Sequence, residues 1–428
     1  MSPSSSPRCC SGWNRGVPDE TTVVAPVAGA RVPPLAPLRY RNFRLLWTGL
    51  IVSNTGSWMQ FVALGYLVDR LTQSPLYLGI LAVTQAVPRI LFSLLGGTLA
   101  DRVDRRRLLF VTNLFLMTTA TLLAVLTYTG RIRIWQVLLI AAVNSLAQAF
   151  DMPARHSMVP SLVAEHEVLS AVSLNSVAFN GAGIFGPSIG GVVIAAIGEA
   201  GCFFVNAGSY LGTLSALALM ALPPQAAVGR VRLSEDLREG VRLLRAHRQL
   251  VLFLLTVAAL SFFGRPYVRM MPTFAREVLH VGATSLGLLQ SAPGVGTILS
   301  LLLVGGASAG RGKGALLGGA VLVFGALVTV FGFVRSLPLA LVLLVLMGTM
   351  QTMALASANT LVQLTTPPHA RGRLMGFYSM VAFGGFALGS LPVGAAGDAI
   401  GVGPALSVGG FILIILALVL LPRLRRFE

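Results

Sequence analysis

Arg89 stands about fourteen residues inside a long apolar run, a depth of roughly 20 Å at about 1.5 Å per helical residue. A guanidinium there cannot easily reach water and needs a partner, either a protein carboxylate or an anionic substrate. Other apolar runs hold Asn54, Gln60, Gln85, Asn144, Gln148 and Asn359, together with Asn175, Asn180, Gln290, Gln351 and Gln363. Uncharged groups of this kind hydrogen-bond either between helices or to a ligand. Arg265 and Arg269 lie four apart on one helical face. Arg269, near the outer end of its run, is expected to snorkel to the surface, and Arg265, one turn deeper, is a candidate ligand. The substrate-binding candidates are therefore Asn54, Gln60, Gln85, Arg89, Asn144, Gln148, Asn359 and Arg265. Their chemistry is binding. No nucleophile–base pair, metal cluster or phosphate loop is visible, so neither an enzyme nor a cofactor or metal is expected. Cys9, Cys10, Cys202 and the five histidines share no ligand spacing.

The fifteen acidic residues tell the opposite story: all fall in the tails, the connections and the ends of the apolar runs. Proton coupling generally needs an ionisable group in the pathway, which leaves Asp69 and Asp151. Asp151 can also pair with Arg155 at four-residue spacing.

These residues need a membrane to position them. Of 428 residues, 55% are hydrophobic and only 11% charged, where a soluble chain carries about a quarter charged. Spans of about 20 apolar residues fall near 43–68, 75–99, 108–129, 134–153, 168–196, 200–222, 250–272, 283–305, 315–334, 337–363, 374–396 and 402–421. Basic residues crowd the tails and the even-numbered connections, at Arg102, Arg105, Arg106 and Arg107, through the 223–249 link, and at Arg371 and Arg373. The odd-numbered connections carry only Arg70, Arg131, Arg133, Arg276 and Arg335. The positive-inside rule then makes both termini cytoplasmic. The net charge of +17 sits in short clusters suited to anionic lipid, not on a nucleic-acid-binding face. No cleavable signal peptide is visible.

The organisation expected is a disordered cytoplasmic tail over 1–38, a six-helix half over 39–222, a cytoplasmic linker over 223–249, a second six-helix half over 250–422, and a cytoplasmic tail over 423–428. Within the linker Ser234, Glu235, Asp236, Leu237, Val241 and Leu244 suit an amphipathic surface helix. Leu78-Gly79-Ile80-Leu81 is echoed by Leu286-Gly287-Leu288-Leu289, 208 positions later. A duplicated unit places a substrate site between its halves near the midplane.

Gly97-Thr98-Leu99-Ala100-Asp101-Arg102-Val103-Asp104-Arg105-Arg106-Arg107 resembles the signature loop between spans two and three of the major facilitator superfamily, with Asp104 where the common pattern has glycine. The resemblance implies a conformational latch at Gly97, Asp101, Arg102, Arg105 and Arg106. The second-half loop has Ala309 in place of the aspartate. Gly186-Pro187-Ser188-Ile189-Gly190-Gly191 resembles the glycine–proline motif of the family's drug antiporters, and Gly186, Pro187, Gly190 and Gly191 also suit close helix packing. The drug exporters' arginine in span four is missing. Within the superfamily, Tyr40-Arg41-Asn42-Phe43-Arg44-Leu45-Leu46-Trp47, Asp151-Met152-Pro153-Ala154-Arg155-His156 and Ala370-Arg371-Gly372-Arg373-Leu374-Met375-Gly376 look most like the branch of enterobactin exporters and macrolide-efflux proteins.

That resemblance implies an all-α protein of twelve transmembrane helices in the bacterial cytoplasmic membrane. It implies a monomeric secondary transporter exporting a small amphipathic or anionic compound, siderophore-like or drug-like, with protons as coupling ion. Its partners are the small-molecule substrate and membrane lipids. An importer or facilitator of similar fold, and a non-transporting membrane receptor, are the alternatives.

Overall fold

The computed structural model describes residues 33–100, 103–220, 242, 244, 247–307, 312–367 and 370–425. The helices are α1 (Arg41–Thr72), α2 (Pro75–Ala100), α3 (Arg105–Tyr128), α4 (Ile134–Met158), α5 (Val168–Leu219), α6 (Arg248–Ala259), α7 (Tyr267–Glu277), α8 (Ala283–Ala307), α9 (Lys313–Phe331), α10 (Leu337–Thr365), α11 (Arg371–Ile400) and α12 (Val402–Arg425). Helix α5 is two spans in one, bent at Gly198, where φ 76° and ψ 178° lie outside what a residue with a Cβ readily adopts. Helices α6 and α7 form one span interrupted by a π turn at Leu260–Gly264.

Ten helical stretches among the described residues are long and apolar enough to cross a membrane, with Glu165–Leu219 among them as one bent unit. Counting that unit twice and adding α1 gives twelve crossings. Helix α1, 32 residues long, falls short in apolarity because Asn54, Gln60, Asp69 and terminal arginines interrupt it. Its polar groups are sheltered by neighbours, with Asn54 and Asp69 buried, which is how such residues are tolerated at this depth. Leu301, Leu302, Val342, Phe383 and Phe411 are among many large apolar side chains left exposed on the helices, as a lipid-facing surface requires.

The helices assemble as two six-span halves. Helix α1 packs along both arms of α5, and α2 packs on α4, while α8 packs on α10 and α9 on α12. The duplication is also written in the connections. Gln73 (φ 53°) and His280 (φ 52°) end the first span of each half, and Gly198 and Gly401 (φ 86°) join the last two. The halves meet along α2·α11 and along the first arm of α5 with α8.

The chain is ordered before residue 39, contrary to a disordered tail that runs to 38. Ala36–Arg39 forms a 3-10 turn with Pro37 buried, and Arg39 pairs with Glu167 at 2.5 Å. The amphipathic stretch around Ser234–Val241 lies outside the described residues.

Candidate functional site

The polar residues of the spans sort into four groups. In the first, Arg89 on α2 donates to Gln148 on α4, Gln148 donates to Asn144 at 2.7 Å, and Asn144 donates to Thr119 on α3 at 3.3 Å. Gln148 and Asn144 are four apart on one face of α4, with Gln148 reaching α2 and Asn144 reaching α3. In the second group, at the junction of the halves, Arg269 on α7 donates to Gln85 on α2 at 2.5 Å and lies over the Phe61 ring at 4.6 Å. One turn away, Arg265 donates to the Ala382 carbonyl on α11 at 3.1 Å and lies 5.3 Å from the Phe386 ring. Arg269 does not snorkel. It is 5% exposed, because its helix face is covered by α1 and α2.

The third group closes the end of the bundle far from the chain termini. Asp69, at the far end of α1 and 4% exposed, accepts from Thr273 at 2.5 Å and from Arg276 at 2.7 and 3.1 Å. Thr273 and Arg276 continue along α7 the face that carries Arg269 and, just before the helix, Arg265, so one stripe runs from mid-span to the far end. Ser74 donates to Asp398 at 2.8 Å, and Ser188 donates to Ser291 at 2.7 Å. All of these bridges join the two halves. Between them, α5 and α8 touch through backbone: a Cβ on Gly191 would lie 2.6 Å from the Ala283 carbonyl oxygen, and one on Gly287 would lie 2.6 Å from that of Pro187. Against α1, Gly186 makes room for the Trp58 side chain and Gly190 for the Met59 backbone.

The fourth group lies toward the terminal end, inside the first half. Asp151 accepts from Arg155 at 2.7 Å, Asn113 at 2.7 Å and Thr112 at 3.0 Å, and Arg155 also donates to Asn54 at 3.1 Å. Asn54 is thereby tied to an ion pair rather than to the Arg89 group. Gln60 accepts from Asn206 at 2.5 Å, a helix-to-helix contact within the same half. Asn359 accepts from Gln363, one turn along α10, at 2.5 Å.

Of the loop that follows α2, Asp101 and Arg102 lie outside the described residues and Gly97 lies in the last turns of α2. Arg105 donates to the Ser157 carbonyl at 3.1 Å. Arg106 donates to the Leu217 and Ala218 carbonyls at 2.7 and 2.9 Å, completing the C-terminal end of α5 with positive charge. Asp104, the departure from the common pattern, is the N-cap of α3 and accepts from the Arg106 and Arg107 backbone N–H groups. Among the described residues no group of three metal-ligating side chains is present.

The family model described as transmembrane secretion effector matches residues 32–428. The chain belongs to that family of major facilitator transporters. It is similar to the multidrug efflux pump Tap of Mycolicibacterium fortuitum, 28% identical over 90% of this chain and 96% of the relative. It is similar also to the enterobactin exporter EntS of Citrobacter koseri, 24% identical over 90% and 93%. Among solved structures, a bacterial homologue of the human lysosomal transporter Spinster, in an inward-facing and unoccupied conformation, matches with a TM-score of 0.73 at 15% identity, over 91% of this chain and 98% of that one. This likeness establishes the fold.

In this transporter sequence reasoning passed over Thr273 and the rings of Phe61 and Phe386, and it placed Arg269 at the surface and Arg276 only in a connection, where both join the halves. A usable signal existed. Arg265, Arg269, Thr273 and Arg276 recur at helical spacing on one face, and a polar stripe of that length is poorly placed against lipid.

Proposed function

We propose that this transporter is a proton-driven antiporter that exports a small amphipathic or anionic organic compound, siderophore-like or drug-like, across the bacterial cytoplasmic membrane, with both termini cytoplasmic. The observation that carries the reading is the Asp69–Thr273–Arg276 bridge. It ties the halves at the end far from the termini, while Arg89, Gln148 and Asn144 lie deeper in the spans on its terminal side. A substrate would enter from the terminal, cytoplasmic side, and release would need this bridge to part. The efflux and export roles of the relatives agree with that direction.

The two candidate carboxylates divide by their surroundings. Asp151 is bonded wholly within one half, which suits a structural role. Asp69 bonds across the halves, so its protonation would weaken the far-end closure directly. Arg105 and Arg106 belong to the proposed latch of the alternate state, with the transporter working as a monomer.

The test is export of siderophores, macrolides and cationic dyes from cells carrying the wild type or Arg89→Ala, with and without an uncoupler. Export of an anionic compound that is lost with the uncoupler and reduced at least about tenfold by Arg89→Ala supports the reading. Accumulation of the compound in the cells, persisting after the gradient is collapsed, overturns it in favour of import.

A further inference from the structure

Arg89, Arg265 and Arg269 are three guanidinium groups deep in the bundle, and among the described residues none has a carboxylate at ion-pair distance. The arginine ion pairs formed there are those of Arg39, Arg70, Arg155 and Arg276 with Glu167, Glu199, Asp151 and Asp69, and of Arg276 with Glu277. The three arginines instead meet amide and carbonyl oxygens and aromatic rings. Their donors are not used up: Nε of all three and Nη1 of Arg269 are buried with no hydrogen-bond partner. Arg269 is itself more than nine-tenths buried. Buried, uncompensated cations with free donors are what an anion would complete.

Their placement divides them between the two halves. Arg89 lies fourteen residues along α2 from its far end at Pro75, and Arg265 lies twelve residues back from the far end of α7 at Glu277. They therefore sit at nearly the same depth on helices that touch. Arg269 is linked to Arg89's helix through Gln85, one turn from Arg89. One cation thus belongs to the first half and two to the second.

We infer that the substrate is an organic anion with at least two acidic groups, carboxylate or phosphate, one taken by Arg89 and the other by Arg265 and Arg269. The inference rests on the export reading above and names the substrate class of the same site. A dianion held this way bridges the halves, and its acidic groups compensate charge that the protein leaves open. The Phe61 and Phe386 rings, already against two of the guanidinium groups, favour a ligand with a flat apolar body between its acids.

Binding to the full chain in lipid nanodiscs tests this, by equilibrium dialysis with isophthalate, benzoate and benzyltrimethylammonium as matched aromatic probes. Isophthalate is expected to bind at least about tenfold more tightly than benzoate, with Arg89→Gln or Arg269→Gln bringing that ratio near one and Arg269→Lys retaining part of it. Arg89 is less completely enclosed than Arg269, so Arg89→Gln carries the test if Arg269→Gln fails to fold. Equal binding of isophthalate and benzoate by the wild type, or a preference that survives both Gln substitutions, overturns the inference. Everted vesicles separate it from the export reading. Isophthalate that binds but is not moved defeats export and leaves the dianion site standing, whereas dye export by a protein that does not bind isophthalate does the reverse.

Discussion

The two ends of the bundle each bury an aspartate against an arginine, and they use the pair differently. At the terminal end, Asp151 and Arg155 are neighbours on one helix, supported by Thr112, Asn113 and Asn54 of the same half. At the far end, Asp69 and Arg276 are 207 residues apart and belong to different halves. Chemically the pairs are alike, with short charge-assisted bonds and an almost fully buried carboxylate. A rigid-body motion of one half against the other leaves the first intact and breaks the second. Connectivity, not strength, decides which pair can work as a switch.

The largest effect that would sharpen this contrast is expected from Asp151→Ala. Removing the carboxylate leaves the Arg155 charge without its partner inside the half, and Thr112 and Asn113 lose their acceptor. A destabilisation of about 3–5 kcal/mol is expected, read as loss of the folded fraction in denaturant titrations in detergent. An Asp151→Ala protein as stable as the wild type would remove the structural side of the comparison.

Asp69→Asn should act on conformation before stability. It weakens a bridge present in only one arrangement of the halves, so the far-end-open population should rise by roughly tenfold, equivalent to about 1.4 kcal/mol. Spin labels at Leu71→Cys and Ile400→Cys, exposed at the far end on either half and outside its bridges, would report a longer distance, and the exchange Asp69→Arg with Arg276→Asp should recover the short one. Unchanged distances, or global unfolding like that expected for Asp151→Ala, would erase the difference between the ends.

The smallest effect belongs to Arg70→Ala. Arg70 pairs with Glu199 at 2.8 Å within the first half, with Arg70 half exposed and Glu199 largely buried. A loss of about 1 kcal/mol in stability is expected, between the cost of an exposed pair and that of a buried one, with no shift in the label distance. A distance change as large as that of Asp69→Asn would mean that any far-end charge controls closure.

The spans were legible because length and apolarity act locally: the outer ends of the helices from α2 to α12 fall within about five residues of the apolar runs, whereas the π turn at Leu260–Gly264 that divides α6 from α7 left no mark in apolarity. Residue types were legible too, since a polar group in lipid is conspicuous whatever its partner. Partners were not. Asn54 and Gln148 look alike in an apolar run, yet one joins Arg155 and the other Arg89, because helix rotation and the packing of α2 on α4 decide which faces meet. Arg269 was misjudged for the same reason: depth along a helix can be counted from sequence, but whether that face meets lipid or another helix depends on the α1 and α2 surfaces opposite it. Asp104 illustrates a purely local rule that was there to be found, an acceptor placed just before a helix.

Gly198 and Gly401, the single residues that turn α5 on itself and join α11 to α12, have a consequence for any reagent that approaches the far end of the bundle. With the two-residue turn at Gln73 and Ser74, they leave the face opposite the termini built mostly of helix ends, with little loop for an antibody to grip. Reagents raised against this face would need to recognise the shape of the closed bundle, and they would therefore report which of its states is present.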